Sequence, residues 1–295
     1  MREPAKGVWA MIGACTIWGF APILYKELSH VPAIEVLAHR TFWSLAFFAA
    51  ILTVQGRLGV LRAAFSQPRE VMLMAVAAGF ITVNWFLFIW AVQNNYAVEA
   101  SLGYYIFPLV AVLIGRVVFG ERLSRVQWGA VALAAVAVML LTYGLGAPPW
   151  IALVLSTSFG MYGLVKKRIT IGPVVSVTAE VVILFPLTLA VLWWTNKDGN
   201  GAFGGNVYDT VLLTFSGPVT AIPLILFSFA AKRISLATVG LVQYLNPTLQ
   251  FFCAVAIFGE PFGVWHGGTF AIIWLALAIY SVATLRAQKA APLQT

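Results

Sequence analysis

Charged side chains are scarce in this chain, which has 295 residues of which only 9% are Asp, Glu, Lys or Arg. Soluble domains carry about 25% charged residues. Because 61% of the residues are hydrophobic, a soluble core of this size would not enclose them all. The apolar segments are long and lack the alternation of barrel strands. The composition therefore predicts an all-α integral membrane protein.

Residues and motifs that support catalysis or cofactor binding are also missing. The two cysteines, Cys15 and Cys253, both lie inside apolar runs, so neither a disulfide framework nor a metal site is expected. The chain lacks the phosphate-binding pattern GxxxxGK[ST], the nucleophile pattern GxSxG and the zinc pattern HExxH. We therefore expect no catalytic residue, no metal and no cofactor, and we expect that ATP does not drive this protein.

Apolar segments long enough to cross a bilayer, which takes about 20 residues, occur ten times. They lie near 7–26, 33–54, 71–92, 97–118, 126–144, 149–165, 173–195, 209–230, 236–258 and 265–285. With the N-terminus in the cytoplasm, fourteen Lys and Arg residues lie in cytoplasmic segments, whereas Lys26 and Lys197 lie outside. This bias predicts a multi-pass protein of a bacterial-type inner membrane with both termini cytoplasmic. The net charge of +8 is then a topology signal, and no nucleic-acid partner is expected.

The tripeptide FGE occurs at 119–121 and again at 258–260, each time at the end of an apolar segment. At the same offset of 139, further identical pairs include Leu87 and Leu226, Phe88 and Phe227, Ala91 and Ala230, Leu102 and Leu241, Tyr105 and Tyr244, and Pro108 and Pro247. Each half holds five predicted helices, and an odd number inverts the second half in the membrane. We therefore predict two inverted five-helix repeats, 1–145 and 146–295, as in many secondary transporters.

Several segments along the chain resemble those of the drug/metabolite transporter superfamily. The resemblance is strongest to RarD-like permeases and to amino-acid exporters of the YddG type, which are built from two EamA-type repeats. It implies export of amino acids by alternating access, with aromatic amino acids, Thr and Met as the suggested cargo. The segments that carry it are WGFAPILYK (18–26), EVLAHRTFWS (35–44), NWFLFIWAV (84–92), EASLGYYIFPL (99–109), FGERLS (119–124), PWIALVLSTSFGMYGLVKK (149–167) and GLVQYLNPTLQF (240–251).

The ninth predicted helix carries polar residues that we expect to bind substrate. Gln243, Asn246 and Gln250 recur every three to four residues and so share one helix face. Amides on such a face suit the polar head of a zwitterion, or they join helices through hydrogen bonds. Tyr244 is a further candidate, with packing as its alternative role.

Aromatic residues on other helices are candidates for the opposite side of a binding cavity. The fourth helix presents Tyr104 and Phe107 on the face that corresponds to the amides. Trp18 in the first helix and Tyr162 in the sixth complete the predicted wall, although Trp18 would serve equally well as bulk facing lipid. Asn84 lies deep in the apolar third helix, so either substrate or a neighbouring helix must pair with it.

Proline and glycine residues are candidate hinges, since they interrupt or end helices. We place hinges at Pro22, Pro108, Pro247, Gly120 and Gly259. Gly120 also looks like a helix stop, and Ser124 with Gln127 resembles a capping box for the next helix. The repeated FGE is therefore interpreted as a turn or hinge element rather than as the site of a catalytic Glu.

The candidate buried charges within or at the start of predicted helices are Arg40, Glu35, Glu99 and Glu180. Arg40 either pairs with Glu35 or Glu99, or attracts a substrate carboxylate or forms an outer gate. Glu180 is either a proton site or the partner of the basic segment 166–168. The driving force, whether proton exchange or facilitated export, stays open at this point.

These features favour a secondary transporter that moves a small molecule across the lipid bilayer through a central cavity between the repeats. Export of amino acids and other small neutral metabolites is the first hypothesis. A drug or other metabolite permease of the same fold is the second. A membrane enzyme or assembly partner that does not transport is the third, and a structure without a central cavity would favour it.

Overall fold

A computed structural model describes residues 3–120, 123–146, 148–197, 199, 201–234 and 236–290. This part of the chain forms helices joined by short connections and contains no β-strand. In chain order the elements are α1 (Glu3–Glu27), α2 (Ala33–Val54), α3 (Leu58–Phe65), α4 (Pro68–Gln93), α5 (Ala97–Phe119), α6 (Arg125–Leu145), α7 (Trp150–Lys166), α8 (Pro173–Asn196), α9 (Val207–Ala231), α10 (Leu236–Gln243), α11 (Leu245–Phe252), a π-helical turn (Cys253–Ile257) and α12 (Val264–Ala290).

Eight of these helices are long and apolar enough to cross a membrane, which confirms the all-α membrane fold. The predicted sixth span is the shorter apolar helix α7, with 17 residues. The predicted ninth span is not continuous, because it divides into α10, α11 and the π-helical turn. The figure of ten crossings therefore stays a prediction. The sequence reading also missed α3, a helix of eight residues between α2 and α4.

Apart from the short α3, and with α10, α11 and the π-helical turn taken as one unit, successive helices run in opposite directions and define two faces of the protein. We call the face at which α1 begins and α12 ends the terminal face, and the other the opposite face. The connections 167–172 and 55–57 lie at the terminal face, whereas 28–32 and 258–263 lie at the opposite face. The bias of Lys and Arg in the sequence predicts that the terminal face lies on the cytoplasmic side of the membrane.

Small residues allow the central helices to approach closely, as is common in membrane proteins. A Cβ atom added to Gly217 of α9 would lie 2.5 Å from the Cβ of Trp43 in α2. One added to Gly103 of α5 would lie 2.9 Å from the carbonyl oxygen of Ala152 in α7. Any larger side chain at either glycine would push apart helices that line the centre of the protein.

The end of α5 and the start of α6 confirm the predicted local signals. Gly120 adopts the left-handed conformation, with φ of 66°, and ends α5. Ser124 accepts a hydrogen bond from the N–H of Gln127, whose side chain accepts one from the N–H of Ser124, so the capping box is present. Glu121, the acidic residue of the first FGE, lies outside the described residues.

Candidate functional site

A cavity of about 860 Å³ occupies the centre of the helix bundle. Its wall is built from α1, α2, α4, α5 and α7 to α12, so both halves of the chain contribute. Ile169 and Ile171, in the connection after α7, line it at the terminal face. Its lining includes no residue from the described connections at the opposite face. The cavity is therefore open towards the terminal face and closed towards the opposite face.

All of the residues predicted to bind substrate lie on the wall of this cavity. They are Trp18, Asn84, Tyr104, Phe107, Tyr162, Gln243, Tyr244, Asn246 and Gln250. Arg40, Pro108 and Pro247 also line it, whereas Pro22, Gly120, Gly259, Glu35, Glu99 and Glu180 are not part of the lining. Binding of a substrate by these side chains, and hinge motion at the prolines and glycines, stay predictions.

Aromatic rings form one side of the wall and contact one another in a chain. Tyr104 packs edge-on against Phe88 at 5.6 Å and against Phe159 at 6.0 Å between ring centroids. Phe159 in turn contacts Phe107 at 4.8 Å and stacks on Tyr162 at 5.9 Å. This connected surface offers ring faces and edges to an apolar or aromatic molecule.

Amide side chains form another part of the wall, on the broken ninth helix. Pro247 lacks an N–H, so it leaves the carbonyl of Gln243 without its usual helical donor where α10 gives way to α11. Gln250 donates to Oδ1 of Asn246 at 3.1 Å, and its own Oε1 has no hydrogen-bond partner among the described residues. The π-helical turn that follows is a feature often found at functional sites. This element therefore carries an unsatisfied acceptor next to the cavity.

Asn84 pairs with neighbouring helices, which is one of the two roles left open by the sequence, and its contact with substrate stays a prediction. Its Nδ2 donates to the carbonyl oxygen of Leu155 at 2.9 Å and to Oγ of Ser158 at 3.1 Å. Its Oδ1 accepts from the hydroxyl of Tyr104 at 2.8 Å. Asn84 thus joins α4 to α7 and fixes Tyr104, an aromatic residue of the cavity wall.

Arg40 lines the cavity and pairs with neither Glu35 nor Glu99, so the predicted ion pairs are absent among the described residues. Its Nε donates to Oγ1 of Thr220 at 2.7 Å. Its guanidinium lies over the ring of Trp85, with 4.2 Å from Cζ to the ring centroid. Glu35 instead accepts a hydrogen bond from the N–H of Ala202 at 2.7 Å, and Glu99 lies near Glu260.

Glu180 forms an ion pair at the end of the cavity near the terminal face. Nζ of Lys166 lies 2.5 Å from its Oε1, and the hydroxyl of Tyr162 donates to its Oε2 at 3.1 Å. Ser176 also donates to Oε1 at 3.0 Å. Pairing with the basic segment 166–168 was one of the two predicted roles, and Lys166 provides it. The carboxylate is buried and fully engaged.

Glu260 has a role that the sequence reading did not identify. At the opposite face it accepts hydrogen bonds from the N–H groups of Ala97 at 2.9 Å and Val98 at 2.8 Å, and so caps the start of α5. Burial raises the pKa of this carboxyl above its usual value, and the two N–H donors oppose that shift only in part. Glu99 lies near it and is half-buried.

Other wall residues were missed because they are apolar or sit among apolar neighbours. They include Trp85, Phe88, Thr220, Leu224 and Phe227. The offset of 139 offered a signal, because it pairs Trp85 with Leu224 and Phe88 with Phe227. Both members of each pair line the cavity.

Comparison with known proteins points to membrane transport. Residues 5–143 match the EamA-like transporter family. The chain is 43% identical to "Protein RarD" of Streptomyces exfoliatus, over 98% of this chain and 92% of that protein. It is 30% identical to "Chloramphenicol-sensitive protein RarD" of Pseudomonas aeruginosa (strain ATCC 15692), over 95% of this chain and 94% of that protein.

A solved structure shares the fold at low sequence identity. The structure, described as "Crystal structure of protein", superposes with a TM-score of 0.62 and 18% identity. The match covers 95% of this chain and 98% of that one. It supports the helical arrangement described above and carries no statement about substrate.

Proposed function

The chain belongs to the RarD-like permeases of the drug/metabolite transporter superfamily, and from that premise we propose that it exports amino acids. It is a multi-pass inner-membrane transporter of a small molecule rather than an enzyme. The proposed cargo is aromatic amino acids first, together with Thr, Met and other small neutral metabolites. The route is the central cavity, and the mechanism is alternating access between two inverted repeats.

The observation that carries this proposal is the two-sided wall of the cavity. Tyr104 and Phe107 lie on the aromatic side, whereas Asn246 and Gln250 lie on the amide side. An aromatic amino acid has an apolar ring at one end and a polar head at the other, so it matches both surfaces at once. A volume of about 860 Å³ is ample for a molecule of this size.

The opening of the cavity also suits export. We place both termini in the cytoplasm, because the Lys and Arg bias favours that orientation. The cavity then faces the cytoplasm, the side from which an exporter loads its substrate. Release would require the opposite face to open, with bending at Pro108 and Pro247, which lie on the cavity wall.

Reconstitution in liposomes tests the proposal directly. Counterflow of labelled Phe, Thr and Met should exceed that of empty liposomes, and unlabelled substrate should compete. Running the assay with and without a pH gradient separates proton exchange from facilitated export. No flux of the three amino acids, with competent flux of a neutral drug, would refute amino-acid export.

Variants of the amide side test the proposed site. Gln243→Ala and Asn246→Ala should each lower the rate of Phe counterflow about tenfold, because each removes hydrogen bonds to a charged head group. Gln67→Ala is the matched control, since Gln67 is an exposed amide just before α4 that does not line the cavity. Wild-type flux in both cavity variants, at equal expression, would reject this face as the binding wall.

A drug permease of the same fold is the second candidate. The name of the Pseudomonas relative refers to chloramphenicol sensitivity, and one side of the cavity wall is aromatic. Expression that changes drug resistance without changing tolerance to amino acids would favour this candidate.

A further inference from the structure

The cavity wall carries a buried positive charge that has no negative partner in the described part of the chain. Arg40 is only 6% exposed, and it lies about 10 Å along α2 from the helix start at the opposite face. The described residues that line the cavity include no Asp or Glu. Among the described residues no carboxylate forms an ion pair with Arg40. An unpaired charge inside a membrane protein is costly, so its presence calls for a partner.

The second cation of the cavity shows what a satisfied charge looks like here. Lys166 also lines the wall, but its ammonium pairs with Glu180, and the hydroxyls of Tyr162 and Ser176 complete that group. The carboxylates of α2 and α8 are both engaged: Glu180 pairs with Lys166, and Glu35 accepts a hydrogen bond from the N–H of Ala202. Neither is available to Arg40 in this arrangement.

The geometry around Arg40 leaves one edge of its guanidinium free. Trp85 covers a face of the group at 4.2 Å, and Tyr25 lies 5.7 Å from Cζ. Thr220 occupies the Nε donor. Both Nη groups have no hydrogen-bond partner among the described residues. The guanidinium is planar, and two parallel N–H groups on such an edge match the two oxygens of a carboxylate.

We propose that Arg40 binds the carboxylate of the transported molecule at the closed end of the cavity, and that this group dominates recognition. The proposal rests on the proposed function, because it names the substrate class of the same site. An ammonium group in the cavity would meet only neutral acceptors, since the described lining residues include no carboxylate. The favoured class is therefore an aromatic or similarly apolar monocarboxylate, with the ammonium group of an amino acid tolerated rather than required.

Binding of three probes to the purified full-length protein tests this inference. 3-Phenylpropionate has the carboxylate alone, phenethylamine has the ammonium alone, and phenylalanine has both. Titrations are followed by intrinsic tryptophan fluorescence, because Trp18 and Trp85 line the cavity. Phenylpropionate and phenylalanine should saturate the signal, and phenethylamine should bind at least about tenfold more weakly. Equal or tighter binding of phenethylamine, or no binding of any probe, would overturn the inference.

Variants at position 40 link the effect to this residue. Arg40→Gln should weaken binding of phenylpropionate about tenfold to a hundredfold, because hydrogen bonds to a charged group are lost. Arg40→Lys keeps the charge but lacks the two parallel N–H donors, so its affinity for phenylpropionate should lie between those of the wild type and Arg40→Gln. Arg233→Gln is the control, since Arg233 pairs with Glu3 at the terminal face. Unchanged affinity in Arg40→Gln would reject the proposal, and if that variant does not fold, Arg40→Lys and the wild-type probe series still decide it.

The outcomes separate this inference from the proposed function. Binding of phenylpropionate that depends on Arg40, without flux of any amino acid, would reject amino-acid export and keep the carboxylate site. Flux of phenylalanine that is unchanged in Arg40→Gln would keep amino-acid export and reject the carboxylate site.

Discussion

At the scale of single residues, buried polar groups in this protein fall into two kinds. Asn84 is 1% exposed, and both its amide nitrogen and its oxygen are engaged by neighbouring helices. Arg40 and Gln250 each keep hydrogen-bonding groups without a partner among the described residues. Because a buried polar group without a partner is costly, the first kind stabilises the bundle and the second kind is suited to a ligand.

Asn84 offers a prediction about stability. Asn84→Ala should lower the free energy of unfolding by about 1–3 kcal/mol, because it leaves the hydroxyl of Tyr104 buried without an acceptor. Thermal unfolding of the purified protein measures the loss. Adding Tyr104→Phe to Asn84→Ala should cost little more, since Phe has no hydroxyl to satisfy. Fully additive losses in the double variant would contradict the role assigned to this hydrogen bond.

At the scale of helices, the two copies of the FGE tripeptide share a glycine conformation, but only the second has a described role for its glutamate. Gly120 and Gly259 both adopt positive φ, of 66° and 67°. Glu260 caps the start of α5 across the two halves of the chain, whereas Glu121 lies outside the described residues. In the structure α1 packs on α9 and α4 packs on α7, and the inverted repeat itself stays a prediction. The repeat boundaries at 145 and 146 stay a prediction.

Glu260 offers a prediction about pH. Its pKa is raised in the folded protein, so the folded state binds more protons than the unfolded state between the usual and the raised value. The stability contributed by Glu260 should therefore be present below the usual carboxyl pKa and should decrease as pH rises through the raised value.

Thermal unfolding across pH 4–8 checks this, and Glu260→Gln should show a flatter profile than the wild type. Glu70→Gln serves as the control, because Glu70 binds Thr170 at the terminal face and not the start of α5. A pH profile of Glu260→Gln that matches the wild type would contradict the interpretation.

At the scale of the whole molecule, the two faces are closed to different degrees. Contacts that join the halves at the opposite face include His30 with Asp209 at 2.9 Å and Glu27 with Tyr208 at 2.9 Å. Phe203 of the connection after α8 stacks on His39 at 4.8 Å between ring centroids. These contacts close the end of the bundle beyond Arg40, and the cavity opens the other way.

Accessibility of a cavity residue tests this asymmetry. A membrane-impermeant maleimide should label Leu224→Cys from the terminal face and not from the opposite face, because Leu224 lines the cavity in α9. The background carries Cys15→Ser and Cys253→Ser. Ser29→Cys is the control for the opposite face, since Ser29 is exposed in the connection after α1. Faster labelling of Leu224→Cys from the opposite face would contradict the described opening.

The amino-acid sequence by itself determined the class of protein and most helix positions. Apolar length and helix-ending signals are local, so α2 matches its predicted bounds of 33–54 and Gly120 ends α5 as expected. Family resemblance and the spacing of Gln243, Asn246 and Gln250 placed candidate residues on what proved to be the cavity wall. The break within the ninth span was foreseen only as a bend at Pro247.

Only the tertiary structure decided which buried charges have partners. Glu35 lies five residues from Arg40 in the sequence, yet it binds Ala202 far along the chain, and Arg40 binds Thr220. Glu260 caps a helix that begins more than a hundred residues earlier. Pairing of a buried group depends on which helices pack side by side and on what lies between them. That arrangement leaves Arg40 on the wall of an open cavity whose described lining has no carboxylate, and local sequence does not encode it.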